Sequence, residues 1–233
     1  MRIDIATLFP EMCETVLSES IIGRARQAGK IQAHCHNIRS FANNKHNRVD
    51  DAPYGGGHGM VMQAEPIALC LEHIEKEIGK KPYIIFMSAA GKPFTQKRAK
   101  ELAQKPNIAI VCGHYEGIDE RVAEAFADEE LSIGDYVITG GELAALVVAD
   151  SIFRMCDGVL ASEEGYTEES HFNGLLEYPQ YTRPEEWRGA TVPAVLLSGH
   201  KANIDTWRTE QAVLRTKKHR PDLYKKWKKQ NEK

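Results

Sequence analysis

The chain has 233 residues, 42% hydrophobic and 27% charged, with a net charge of −3. That is the balance of an ordinary globular protein with room for one large domain, or one medium domain and a small satellite. No apolar run approaches a membrane span and the opening MRIDIATLFP lacks a signal-peptide core, which predicts a cytoplasmic protein with no membrane partner.

The five cysteines stand at least 22 residues apart with no CxxC pair, which argues against a disulfide framework. His34 and His36 flank Cys35 on an expected strand; with no second cluster to complete a metal site, they read as exposed strand histidines. The net charge hides a segregation. Residues 201–233 carry eleven Lys/Arg against four acids, +7, leaving −10 on the rest. A basic end on an acidic body fits a polyanionic partner, and equally a solvated helical tail.

In chain order, RIDIATLF predicts a strand and EMCETVLSESIIGRARQAG one helix stopped by Gly29. KIQAHCHNI alternates with period two, placing Ile31, Ala33 and Cys35 on one face. PIALCLEHIEKEIG has helical periodicity and a terminal glycine. Then follow the strand YIIFMS, the helix TQKRAKELAQ, the strand NIAIVCG, the helix IDERVAEAF, the strand YVITG and the helix ELAALVVADSIFRM. Near-continuous apolar strands separated by helices predict an α/β fold on a parallel sheet covered on both faces.

Ligands on such sheets lie beyond the carboxyl ends of the strands. Those ends read Ser88 to Gly91, Cys112 to Gly117, and Gly140 with Gly141. Each carries glycine, so backbone can approach a bound molecule closely. YGGGHGM, residues 54–60, follows a polar loop rather than a strand and reads as a loop that approaches a ligand when ordered. There is no GxxxxGK[ST], and no GxGxxG after the first strand, which argues against a P-loop and a Rossmann nucleotide site.

CGHYEGIDERV, residues 112–122, is the densest chemical cluster. Asp119 and Glu120 at a helix start are explained by the macrodipole. After residue 160 the pattern changes: ASEEGYTEESHFNG reads as a linker, and TEQAVLRTKKHRPDLYKKWKKQ as helix broken before Pro221.

Taken together, DDAPYGGGHGMVM, CGHYEGIDERV, SIGDYVITGGE, GLLEYPQYTRP and VLLSGHKANIDTWR, in that order, resemble the bacterial tRNA (guanine-N1)-methyltransferase family over nearly the whole chain. The resemblance implies a SPOUT-class α/β domain with a C-terminal trefoil knot over residues 1–160, a flexible linker over 161–173 and a small helical tRNA-binding domain over 174–233. It implies a homodimer with shared active sites. It also implies methyl transfer from S-adenosylmethionine to N1 of the guanosine immediately 3′ of the anticodon, with the tRNA anticodon stem-loop as partner.

Residue by residue, the resemblance puts the cofactor at Phe86, Met87 and Ser88, at Gly113, Tyr115 and Glu116, and at Ser132, Ile133, Gly134, Asp135, Tyr136, Val137 and Ile138. Gly140 and Gly141 match the tightly packed knot glycines, where the cofactor also lies against backbone, and Glu177 an acid that reaches the cofactor's amino group across the dimer. Glu169 matches the linker carboxylate that removes the N1 proton, with Glu168 the alternative, and Arg154 the arginine that stabilises charge on O6. Without the resemblance, Arg154 reads as a cation favoured at a helix C-terminus.

The family is associated with magnesium, for which no ligand set is legible here. The sequence departs from the family at Ala89 and Ala144, where prolines are common, at His58 in the glycine loop, and at Glu169, where aspartate is usual. Two other readings share the scaffold: a non-catalytic RNA-binding protein and a ribosomal RNA methyltransferase.

Overall fold

The computed structural model describes residues 1–162, 164–167 and 169–231; Glu168 lies outside them. The chain divides into two compact units, Met1–Ser162 and Glu163–Lys233. No described helix is long and apolar enough to cross a membrane.

Unit 1 begins with β1 (Arg2–Thr7), α1 (Pro10–Leu17), α2 (Ser20–Gln27) and β2 (Gln32–Asn37). The short pair β3 (Asp50–Asp51) and β4 (Val61–Met62) precedes α3 (Ala64–Ile78). Then come β5 (Tyr83–Pro93), α4 (Gln96–Leu102), β6 (Asn107–Val111), α5 (Glu120–Phe126), β7 (Glu129–Ser132) and α6 (Glu142–Phe153). The main sheet has the order β2-β1-β6-β5-β7, and every neighbouring pair is parallel.

Alternation along the strands builds a core on each face. Ile3, Ile5, Ile85, Ile108 and Ile110 point to one side and pack with Leu17 of α1 and Val148, Ile152 and Phe153 of α6. Ala6, Ile84, Phe86, Ala109 and Val111 point to the other and pack with Ile67, Leu71 and Ile74 of α3. Burial on both faces is the condition a parallel sheet needs.

Two expectations are corrected. The helix expected over 11–29 is two helices, because the chain turns sharply at Ser18–Glu19 and folds back so closely that a Cβ on Gly23 would collide with the Ser18 carbonyl. The strand expected at Tyr136–Thr139 is an exposed loop, with Val137 88% accessible. The edge of β5 is instead taken by Glu129–Ser132, whose Leu131 is wholly buried. Propensity yields here to a tertiary partner.

β5 also runs past its expected end. Met87 and Lys92 both pair with Leu131, so residues 88–91 form an excursion within the strand. A Cβ on Gly91 would sit 2.6 Å from the Leu131 backbone nitrogen, so only glycine fits that crossing.

Unit 2 holds α7 (Glu164–Thr167), the antiparallel pair β8 (Glu186–Trp187) and β9 (Ala190–Thr191), α8 (Ala194–Leu197), α9 (Lys201–His219) and α10 (Pro221–Asn231). Pro221 starts α10 after a break at Arg220, as the sequence predicts. Thr216 of α9 is fully buried, and its Oγ1 accepts from the Leu176 N–H at 2.8 Å, which ties the 169–177 segment to α9.

His36 is not an exposed strand histidine. It is half-buried, and its Nε2 lies 2.8 Å from Oδ1 of the fully buried Asp4, which also receives Arg2 at 2.7 Å. Burial pushes the Asp4 carboxyl up, but the hydrogen bonds from His36 and Arg2 outweigh it and hold it below the usual carboxylate range. A group with a depressed folded pKa contributes stability above its unfolded pKa, near 3.9, and loses it as pH falls further. Asp4→Asn is therefore expected to cost about 1–3 kcal/mol in urea unfolding at neutral pH, with the difference from wild type shrinking as pH falls past the unfolded value and through the lowered folded one.

Candidate functional site

The 88–91 excursion within β5 and the loops beyond the carboxyl ends of β6 and β7 line a cavity of about 430 Å³ in unit 1. Its walls are residues 86–90, 113–118 and 130–141 save Asp135, with Glu120, Ala123 and Ala144 behind them. Every cofactor-binding residue expected in unit 1 lines it except Asp135. Ala89, Ala90 and His114, which fall inside the expected strand-end loops, line it too, as do Ile118 and Thr139, which were not named as cofactor residues. They follow from the loops' continuity once the strand ends are placed.

The loops are pinned to one another by backbone. Gly141 N–H donates to the Gly113 carbonyl at 2.8 Å, and His114 forms a β-bridge with Gly140. A Cβ on Gly141 would lie 2.8 Å from Cys112 Cα, and one on Gly140 would collide with both the Glu142 carboxylate and the His114 ring. The adjacent glycines thus have separate causes: Gly141 admits a neighbouring backbone, and Gly140 clears the space between two side chains.

The glycine loop at 54–60 meets the same wall. Glu116 N–H donates to the Met60 carbonyl at 3.0 Å and Met62 N–H to Gly117 at 2.9 Å, while a Cβ on Gly59 would overlap the Glu116 side chain. Tyr115 adopts a φ of 59°, and its hydroxyl accepts from Arg39 at 3.2 Å. Inside the wall, burial pushes the Cys112 thiol well above its usual range, with the Glu142 charge adding to it, so this cysteine is an inert packing group.

The remaining expected residues lie elsewhere. Arg154 is the C-cap of α6 in unit 1. Glu169 and Glu177 belong to unit 2, where they line a second hollow of about 270 Å³ with Arg208 and Tyr178. The Arg208 guanidinium stacks 4.7 Å from the Tyr178 ring centre, and Glu177 N–H donates to Ser170 Oγ at 2.9 Å.

For a metal, one group among the described residues offers three donors close together: His36, His73 and Glu77. Magnesium prefers oxygen ligands in an octahedron, whereas this group is rich in nitrogen. Arg2 also bonds Glu77 at 2.9 Å and already balances its charge. The group does not fit magnesium.

The close approach at Gly141 is testable without a ligand. Gly141→Ala overpacks the site and is expected to cost about 1–3 kcal/mol, measured as a Tm several degrees below wild type. An unchanged Tm would mean that the Cys112 backbone gives way freely.

The comparisons with known proteins agree with one another. The family model described as tRNA (guanine-1)-methyltransferase TrmD matches residues 1–226. A tRNA (guanine-N(1)-)-methyltransferase of Ruminiclostridium cellulolyticum is 52% identical over 226 residues, 97% of each chain. The same-named protein of Lachnospira eligens is 54% identical over 227 residues, covering 97% of this chain and 96% of its own. That of Desulforamulus reducens is 54% identical over 226 residues, covering 97% and 89%. The chain belongs to the tRNA (guanine-1)-methyltransferase family.

Proposed function

We propose that the protein transfers a methyl group from S-adenosylmethionine to N1 of the guanosine immediately 3′ of the anticodon in tRNA. The observation that carries this reading is the cavity between the β5 excursion and the ends of β6 and β7, where glycines bring main-chain groups to the wall in a chain of this family. Such a wall suits an adenosyl ligand, because backbone donors and acceptors read an adenine edge without specific side chains. The cofactor brings a methyl group already activated by a sulfonium charge, so the transfer itself has no need of a metal. No step is assigned to magnesium.

The difficulty lies on the acceptor. N1 of guanine carries a proton and its lone pair is delocalised, so a base must take the proton as the methyl arrives, and negative charge then builds on O6. Glu169 is assigned as that base and Arg154 as the fixed guanidinium that stabilises O6. Glu177 is assigned to the cofactor's amino group. Residues 1–160 carry the cofactor cavity and Arg154, 161–173 the linker with the base Glu169, and 174–233 the tRNA contacts together with Glu177. The cations of α9 and α10 are suited to phosphates and contribute little to base choice.

The working form is a homodimer. Phe9, Met12 and Val16 around α1 and Leu143 and Val147 on α6 are large apolar side chains between 41% and 53% exposed. α1 and α6 are in contact, so these residues form an apolar surface of the kind a second copy covers. The excursion of β5 at 88–91 and the approach of the 133–141 loop to Cys112 and Gly113 are what a trefoil knot in this domain would require. The protein is read as cytoplasmic, where tRNA is modified.

Glutamate at 169 is one methylene longer than the aspartate usual in the family. Glu169→Gln is expected to lose about a hundred- to ten-thousand-fold in single-turnover methyl transfer, with tRNA and cofactor binding kept. Glu169→Asp should retain partial activity. A defect at Glu168→Gln instead would move the base by one residue. Full activity in both single variants and the double variant would remove a linker carboxylate from the mechanism. Cofactor binding without any transfer to tRNA would favour a non-catalytic RNA-binding protein, and transfer to ribosomal RNA alone would favour the other alternative.

A further inference from the structure

Glu142, only 3% exposed, is a buried carboxylate that the proposed chemistry does not use. It is the first residue of α6, where the helix dipole favours an anion. Its Oε1 accepts from Thr7 Oγ1 at 2.8 Å, and that hydroxyl in turn accepts from the Phe9 N–H at 2.9 Å. Its Oε2 faces His114 Nδ1 at 4.0 Å. That ring nitrogen is buried and has no hydrogen-bond partner.

An orphaned buried polar atom is costly and calls for a reason. The surroundings leave His114 little freedom: Phe9 lies 5.1 Å from its ring centre on one side and Tyr115 5.2 Å on another, and its backbone N–H donates to Met62 Sδ at 3.2 Å. Gly140 lies against the gap between Glu142 and His114, where any Cβ would strike both groups. The sequence therefore keeps open a space whose two walls are a carboxylate and an imidazole nitrogen. At 4.0 Å the two atoms are too far apart to hydrogen-bond directly, and closing the gap takes a shift of about 1 Å.

We propose that Glu142 is a positioning residue that takes hold of His114 Nδ1–H when the cofactor seats, and so sets the 113–117 backbone against it. The proposal rests on the reading of the cavity as the S-adenosylmethionine site. The link is short, since His114 lies inside the loop that supplies Gly113, Tyr115 and Glu116 to the wall. Thr7 holds one carboxylate oxygen, which fixes the other toward the ring. The carboxylate also selects the tautomer with the proton on Nδ1.

A double-mutant cycle on S-adenosylmethionine affinity, by isothermal titration of the full chain, tests this. Glu142→Gln and His114→Phe are each expected to weaken binding about tenfold, and the double variant no further than the weaker single. KM for the cofactor should rise while kcat at saturation stays within a few-fold. His114→Asn, whose amide nitrogen stands near the position of Nδ1, should recover most of the affinity. Additive losses, unchanged affinity in both singles, or no rescue by asparagine would each overturn the proposal. If Glu142→Gln does not fold, Thr7→Val replaces it, with a smaller loss that must again be non-additive with His114→Phe. Wild-type protein that does not bind S-adenosylmethionine would remove the site reading and this inference together. Wild-type binding with an additive cycle would remove this inference alone.

Discussion

Unit 1 is organised by backbone meeting backbone at the 88–91 excursion of β5 and beyond the carboxyl ends of β6 and β7. Gly91 crosses Leu131 with no space for a Cβ, and Gly141 crosses Cys112 in the same way. Parallel strands already place their loops on one side of the sheet. These two crossings press the loops together, so that main chain comes to the cavity wall beside side chains such as Phe86, Tyr115 and Tyr136. A methyl at either crossing would have to be absorbed by a buried strand end, where Leu131 and Cys112 are wholly enclosed and packing tolerates little change.

Charge placement follows the same frame. Asp4 and Glu142 are buried on the two sides of β1, and each is compensated locally: Asp4 by Arg2 and His36, Glu142 by Thr7 and the start of α6. The difference is that the Asp4 network is closed while the Glu142 network ends at an unpaired His114 nitrogen. The open end of the Glu142 network lies beside the cavity, whose wall includes His114. The cations of α9 and α10 lie in the other unit, which carries a net +2 against −5 for Met1–Ser162, because residues 163–200 bring seven acids and two arginines to the same unit as the tail.

Much of the frame was legible in the sequence because burial on both faces writes apolar runs directly. RIDIATLF, YIIFMS and NIAIVCG all became strands of the parallel sheet. The strand Glu129–Ser132 was missed because EELS looks acidic, yet Arg98 takes up the Glu129 charge at 2.6 Å and Leu131 alone supplies the buried face. YVIT was misread for the opposite reason: β-branched and aromatic residues suit a strand, but here they cover a cavity with no strand partner. The cavity loops were legible through their glycines and through the family motifs together. What periodicity could not give was the pairing of Gly140 with Glu142 and His114. That depends on a contact across 28 residues, seen only once the loops are in place.

If the three loops act as one cradle for S-adenosylmethionine, saturating cofactor slows hydrogen–deuterium exchange of the full chain at 86–91, 113–117 and 132–141 and leaves α9 and α10 unchanged. Protection of α9 or α10 with the three loops unaffected would mean that the cofactor seats elsewhere.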